Sequence, residues 1–444
     1  MKVLFIEIEM ERNWSVASIG PAFLSSYVRN HGYETSILHI PFDEPILDIV
    51  SAILDENPDI LGISLTTRQW QRARKILNAL RDRRVIPTIV GGLHPTFSPE
   101  STLRQKGIDY ICLGEGEGAF LDFLHQFRDH GRIREPIPNI WARGEKRPTV
   151  RPPVPKLDDL PFMDRALLNE KYGVVNMTTQ RGCPFPCTYC AARMYNEMYG
   201  NAQYGRRRSI ENVLDELHYI RENFLLSYVI YLDDTFTINH KWIREFLRAY
   251  QEQLAIPFSI HARAETINQR MLAQLAQAGC KHITFGVESG SERLRYDVMH
   301  RKVTNKRLVE AFRWSRSLGI ITTANYIIGT PTETRDDIEQ TIALHHELQP
   351  DDFGYFVFYP YPGTPMFKYC LDRGLLPADF EDREANHRET ILLHDQLHPD
   401  EIEEYYGRFT QLREEAYLQK YGNRLSEASK SEVKSRYQDI ASSG

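Results

Sequence analysis

The chain has 444 residues, 42% of them apolar and 26% charged, the make-up of an ordinary globular protein with room for two or three domains and a core that needs no covalent staples. A formal net charge of −6 excludes a nucleic-acid partner held by a broad basic surface. No run approaches the roughly 18 apolar residues of a membrane span, and the opening MKVLFIEIEMERN is too acidic and too briefly apolar for a signal peptide, so the expected location is cytoplasmic.

Residues 2–8 read as a first strand and 20–30 as a helix, with Phe23, Leu24, Tyr27 and Val28 on one side. Strands follow at 35–40, 59–65, 86–90 and 109–113, separated by helices at 46–54 and 68–81, with a last helix running to about residue 128. Five short apolar strands alternating with helices imply an α/β, doubly wound, Rossmann-like parallel sheet covered on both faces. Ligands of such sheets lie beyond the carboxyl ends of the strands. Three loops fall there: one hydroxyl-rich, with Ser64 and Thr66; one with Gly91, Gly92 and His94; one with Gly114 and Glu115. Glycine lets backbone approach a ligand closely, and three such loops on one edge point to a large flat ligand.

Seven prolines between 136 and 161 break any long helix. They divide the chain into a first domain at 1–135, a Pro-rich linker at 136–170, a second domain at 171–365 and a helical C-terminal region at 366–444. Within the linker, residues 140–143 and 146–150 are expected to form a small hairpin turned at Gly144.

The second domain opens with a strand at 174–179 and then QRGCPFPCTYC, which places Cys183, Cys187 and Cys190 within eight residues. Clustering of this kind favours metal over disulfide. Three thiolates on a tight loop face three corners of an Fe4S4 cube and leave the fourth iron without a protein ligand. Structural zinc wants four closed ligands and ordinary electron-transfer clusters take four cysteines; no fourth cysteine lies nearby. Cys112, Cys280 and Cys370 sit in apolar or mixed runs and read as packed core thiols. Further strands at 228–232, 258–261, 282–286, 320–328 and 355–359 alternate with helices, giving a partial (β/α)6 barrel. Reactive groups belong at its C-terminal strand ends, where Asp233, Asp234, Arg263, Glu288, Gly329 and Pro331 stand. Ser209 reads as the N-cap of a helix with Ile210, Val213, Leu214, Leu217 and Ile220 on one face. The basic run Arg206, Arg207 and Arg208 reads as a solvated or locally paired patch. Ile402, Tyr405, Tyr406, Phe409 and Leu412 have helical spacing and read as packing.

The Cys-x3-Cys-x2-Cys spacing, with aromatic Tyr189 before its last cysteine, resembles the signature of the radical S-adenosylmethionine (SAM) family. Residues 1–135 resemble the cobalamin-binding domain that precedes the catalytic domain in one large branch of it. The resemblance implies a [4Fe–4S] cluster on Cys183, Cys187 and Cys190, with the free iron taking the amino and carboxylate groups of SAM. It implies Asp233 and Asp234 near the methionine amino group, Arg263 on the carboxylate and Glu288 on the ribose. Ile328, Gly329 and Pro331 would line the adenine. Ser64, Thr66, Gly91, Gly92, His94, Gly114 and Glu115 would meet cobalamin, and a reductant such as flavodoxin or ferredoxin would supply electrons. Two departures stand out. There is no Asp-x-His-x-x-Gly motif; His94 is the nearest candidate for a cobalt ligand and reads more naturally as a loop histidine donating to a phosphate or amide. The first loop is short and acidic, with Glu7, Glu9, Glu11, Arg12 and Asn13. The segment from Tyr359 to Pro365 resembles the loop that closes the substrate side in such enzymes, and is as natural as a rigid turn.

Two reactions on a small-molecule substrate follow. One is cobalamin-dependent C-methylation. The other is radical dehydration or rearrangement of a sugar or aminoglycoside, with a vestigial first domain. A non-catalytic iron–sulfur carrier fits poorly with the missing fourth ligand, and a methylthiotransferase would carry three more cysteines where only Cys112 stands.

Overall fold

The computed structural model describes residues 1–10, 18–168, 170–200, 205–421 and 429. Glu11, Arg12 and Asn13 of the acidic first loop lie outside these, as does most of the chain beyond Tyr421.

The first sheet contains β1 (Lys2–Ile8), β2 (Glu34–Ile40), β3 (Ile60–Ser64), β4 (Thr88–Gly91), β5 (Tyr110–Cys112) and β6 (Ile140–Ala142), in the order β2-β1-β3-β4-β5-β6. Alternation along each strand feeds two cores. Leu4, Ile6, Leu61, Ile63 and Val90 face one layer of helices, while Val3, Phe5, Ile60 and Ile89 face the other. The first five strands are parallel. β6 is antiparallel to β5, pairing Cys112 with Ile140. This corrects the expected hairpin: residues 140–142 take β5 as partner rather than 146–150, so the first sheet continues into the Pro-rich segment.

The second sheet contains β7 (Val174–Met177), β10 (Tyr228–Tyr231), β11 (Phe258–Ala262), β12 (Cys280–Glu288), β13 (Ile321–Ile328) and β14 (Asp352–Val357), all parallel and in chain order. Between β7 and β10, the two-residue strands β8 (Gln180–Arg181) and β9 (Arg206–Arg207) pair with each other. β7 and β14 do not pair, so the barrel is open. The helix Pro399–Tyr421 covers β14, burying Ile402, Tyr405, Tyr406 and Phe409, and the Tyr355 hydroxyl donates to Thr410 at 2.8 Å. The stripe read as packing is packing. The rest of the C-terminal region is less helical than expected: after Pro365–Asp372, residues 373–398 hold a single 3-10 turn, Phe380–Asp382.

Ser209 caps Ile210–Asn223, its Oγ accepting from the Asn212 N–H at 3.1 Å. The basic run is paired and largely buried: Arg206 meets Glu115, Arg207 lies over the Trp242 ring at 4.5 Å, and Arg208 reaches Glu216 at 2.6 Å. Glu216 is fully buried and also bonds Arg165 at 2.6 Å. These two guanidiniums donate to the carbonyls of Asn176 (2.8 Å) and Thr178 (3.1 Å), fixing the end of β7 where the cysteine loop begins. Among the described residues no helix is long and apolar enough to cross a membrane.

The two sheets meet through their C-terminal edges and through the segment after the barrel. Gln71 donates to the Glu381 carbonyl at 2.8 Å and Arg74 to Asp382 at 2.7 Å. Gly363 leaves only 3.0 Å between its absent Cβ and Phe97, so the loop after β14 presses on the first domain.

Candidate active site

Asp233, two residues past the end of β10, shapes the entry to the cysteine loop. Its carboxylate accepts from the Thr179 N–H (2.8 Å), the Thr179 hydroxyl (2.8 Å) and the Gln180 N–H (2.9 Å). Burial lifts this carboxyl to about 6, against those donors. Asp233 is thus a clasp and does not line the cavity beyond it, whereas Asp234 does. Neither caps the next helix; Asn239 does, accepting from the Trp242 N–H at 3.1 Å. Farther along the loop, Thr188 donates its N–H to Met299 (3.1 Å) and its hydroxyl to Val298 (2.7 Å), and accepts from the Met366 N–H at 3.0 Å.

Cys183, Cys187 and Cys190 line one cavity of about 210 Å³ at the barrel mouth, with Tyr189, Asp234, Arg263 and Glu288. Among the described residues no three His, Cys, Asp or Glu groups converge on a single metal ion. Thiols spread round a cavity suit a multi-iron cluster, and no fourth cysteine lines the space, so the donor set fits a cube with one open iron. Burial raises the Cys183 thiol and pushes Cys190 up to about 12. Arg263 donates to the Cys187 sulfur at 3.1 Å, also grips Glu265, and lies 3.8 Å over the Phe185 ring. Glu288, in a left-handed conformation at φ 71°, stands 3.9 Å from Arg301. Burial raises its carboxyl while Arg301 and a hydrogen bond with Tyr189 pull it back.

Sequence reasoning missed Arg301, which is 3% exposed and donates to the Gly286 carbonyl at 2.5 Å. It also missed Phe185, His261 and Asn325 on the cavity wall. The expected adenine residues do not line this cavity: Ile328 is buried in the barrel core, and Gly329, at φ 74°, turns against Ile402 and Val357. Pro331 follows in the same turn and also does not line the cavity.

Glu333 closes that turn. Its Oε2 accepts from the Thr330 N–H at 2.8 Å, and burial lifts its carboxyl to about 8. Its unfolded value is about 4.3. The native state therefore holds this proton more tightly, and the contribution is full at low pH and lost as pH rises toward 8. The expected result is that Glu333→Gln gains melting temperature relative to the parent as pH is raised from about 5 to about 8; a constant difference across that window would show the group does not titrate there.

The first domain has its own cavity, a slot of about 280 Å³ at the C-terminal edge of its sheet. Phe5, Phe23, Leu24 and Phe120 give it apolar walls, and Ser64, Gly91, Gly92, Gly114 and Glu115 also line it. Gly114 is required: a Cβ there would lie 2.1 Å from the Tyr199 hydroxyl, which accepts from the Glu115 N–H at 2.7 Å. Residues of the second domain, Thr178, Arg181 and Tyr195, close the mouth. A slot of this size with apolar walls has room for a nucleotide-sized group. Thr66 and His94 are not in it. Thr66 forms a capping box with Gln69, its N–H donating to Gln69 Oε1 at 2.8 Å. His94 stacks on Trp70 at 4.5 Å, is held neutral by burial with its pKa lowered to about 4, and faces a separate cavity toward Tyr359 and Phe380.

The sequence matches the Radical SAM superfamily over residues 177–345 and the B12 binding domain over residues 14–124. It is 29% identical to an uncharacterized methyltransferase of Pyrococcus horikoshii, over 81% of this chain and 79% of that protein. It is 24% identical to the cytidylyl-2-hydroxyethylphosphonate methyltransferase of Streptomyces wedmorensis, over 81% and 79% respectively. In structure it resembles the cobalamin-dependent radical SAM enzyme OxsB, with a TM-score of 0.73 at 17% identity over 99% of this chain and 71% of that one. It also resembles the radical SAM methyltransferase TsrM of Kitasatospora setae, at 0.67 and 18% over 84% and 76%. These likenesses define the class, a radical SAM enzyme whose cofactors are a [4Fe–4S] cluster and SAM. More particularly, the chain carries a B12 binding domain ahead of its Radical SAM domain, the domain order of the branch of that superfamily with an N-terminal B12 binding domain.

Proposed function

We propose that the chain is a cobalamin-dependent methyltransferase that places a methyl group on a carbon of a small molecule. One observation carries this reading. The eight-residue helix Ala191–Met198, directly after Cys190, puts Ala192 on the cysteine cavity and Tyr195 on the glycine-lined slot. The two cavities therefore flank one short element, the arrangement a reaction with two cofactors needs. The methyltransferase names of two relatives support it.

When bound, the cluster and SAM would supply radical chemistry able to activate a C–H bond, and cobalamin would supply a transferable methyl group. The chain's residues hold and shield. Cys183, Cys187 and Cys190 would ligate the cluster, and Arg263, on the same cavity, would pair with the SAM carboxylate. Asp234 would accept from the SAM amino group, and Glu288 from its ribose. Ser64, Gly91, Gly92, Gly114 and Glu115 would line the cobalamin tail. Electrons would come from a flavodoxin or ferredoxin. The proposed division keeps a B12-binding unit at 1–135, a linker at 136–170, a barrel at 171–365 and a C-terminal region at 366–444.

The test is anaerobic reconstitution with hydroxocobalamin, iron, sulfide and SAM carrying a deuterated methyl group. Near-stoichiometric cobalamin that acquires the deuterated methyl under reduction is the expected result. Iron and sulfide bound without cobalamin would refute methylation and favour radical dehydration or rearrangement.

A further inference from the structure

Glu117 begins the helix Glu117–His130, directly above the slot of the first domain. The residue is 4% exposed. One carboxylate oxygen, Oε1, accepts from Arg181 at 2.6 Å. The other, Oε2, is buried and has no partner, and Glu117 is the one residue lining the slot with such an atom. Burial opposes ionisation here, but the Arg181 guanidinium outweighs it and holds the carboxyl below its usual range. A buried carboxylate oxygen with nothing to accept from is costly. A ligand that brings an O–H donor into the slot removes that cost.

We propose that Glu117 Oε2 accepts from a ribose hydroxyl of the cobalamin nucleotide tail, making Glu117 a polar anchor in a slot whose walls are largely apolar. This rests on the reading of the chain as a cobalamin enzyme. The chemistry selects the hydroxyl. The tail's base carries no N–H, its phosphate is repelled by a carboxylate, and the apolar walls of Phe5, Phe23 and Phe120 suit the base itself. Arg181 is the positioning residue: it comes from β8, beside the cysteine loop, and aims the carboxylate by occupying its other oxygen.

The experiment compares hydroxocobalamin with cobinamide, which keeps the corrin ring and the aminopropanol amide but lacks the phosphate, ribose and base. Each is titrated by absorbance into the cluster-loaded protein and into Glu117→Gln and Glu117→Ala, with melting curves to establish folding. The parent is expected to prefer cobalamin, and both variants to lose about tenfold or more of cobalamin affinity, the scale of a hydrogen bond to a charged group, while cobinamide binding holds. Gly91→Leu, which fills the slot, is expected to erase the preference as well. Cobalamin binding unchanged in both Glu117 variants overturns the inference and leaves the cobalamin reading intact. An equal loss for both ligands assigns Glu117 a merely structural role and also overturns it. A parent that binds neither ligand refutes the cobalamin reading, and the anchor falls with it.

Discussion

Cys187→Ala is expected to lose the iron–sulfur chromophore and all formation of 5′-deoxyadenosine from SAM, while the protein stays folded. The cavity geometry separates these two effects. Cys187 is 5% exposed and sits on a loop held by others: Thr188 bonds Met299 and Val298, and Asn196 donates to the Cys183 carbonyl at 2.7 Å. Removing one sulfur therefore removes a ligand and not the loop. It also deprives Arg263 of its acceptor, leaving Glu265 as its partner. Iron and sulfide counts with an ultraviolet–visible spectrum, beside a thermal melt, read the two effects independently. Retained 5′-deoxyadenosine production would sink the assignment of the cluster to these cysteines.

Glu216→Ala is expected to be the most destabilising single change among the charged residues. The parent buries one carboxylate between two guanidiniums, Arg165 and Arg208, each 2.6 Å away. Glu170, 2.9 Å from Arg165, is the other acid at this centre. Without Glu216, two cations face each other out of water with half their compensation. Breaking a buried pair on one side costs about 3–5 kcal/mol. The damage would travel: both arginines hold backbone carbonyls at the end of β7, so cluster loading should fall with stability. Denaturant unfolding reads the first and iron content the second. A loss under about 1 kcal/mol, the scale of an exposed ion pair, would show the centre to be solvated.

What the sequence made legible follows from the range of each interaction. The cysteine loop is readable because its chemistry lies within eight residues, and the parallel strands because each is a continuous apolar run. β6 was read at 140–143 as a hairpin arm, but its partner was not readable: three residues give no register, and β5 is chosen by tertiary contact. Arg301 carries no local motif, and only the fold brings Glu265 and Glu288 to 3.9 Å from it. The Asp233–Asp234 pair did carry a usable signal. Neighbours leaving a strand point to opposite sides, so only one of the two can face the cavity. Glu117 lay within the glycine-rich loop that sequence reasoning singled out. Its burial, and its unpaired oxygen, depend on Arg181 arriving from another domain.

The helix Ala191–Met198 is a party wall between two cavities. Whatever order its first turn gains when iron and sulfide fill one side, its Tyr195 face presents to the other. By thermodynamic reciprocity, if a filled cysteine cavity tightens the grip of the slot by some factor, a filled slot tightens cluster retention by the same factor. Chelator-resistant iron would then measure how much corrinoid is bound, and a preparation starved of one cofactor would under-report its capacity for the other.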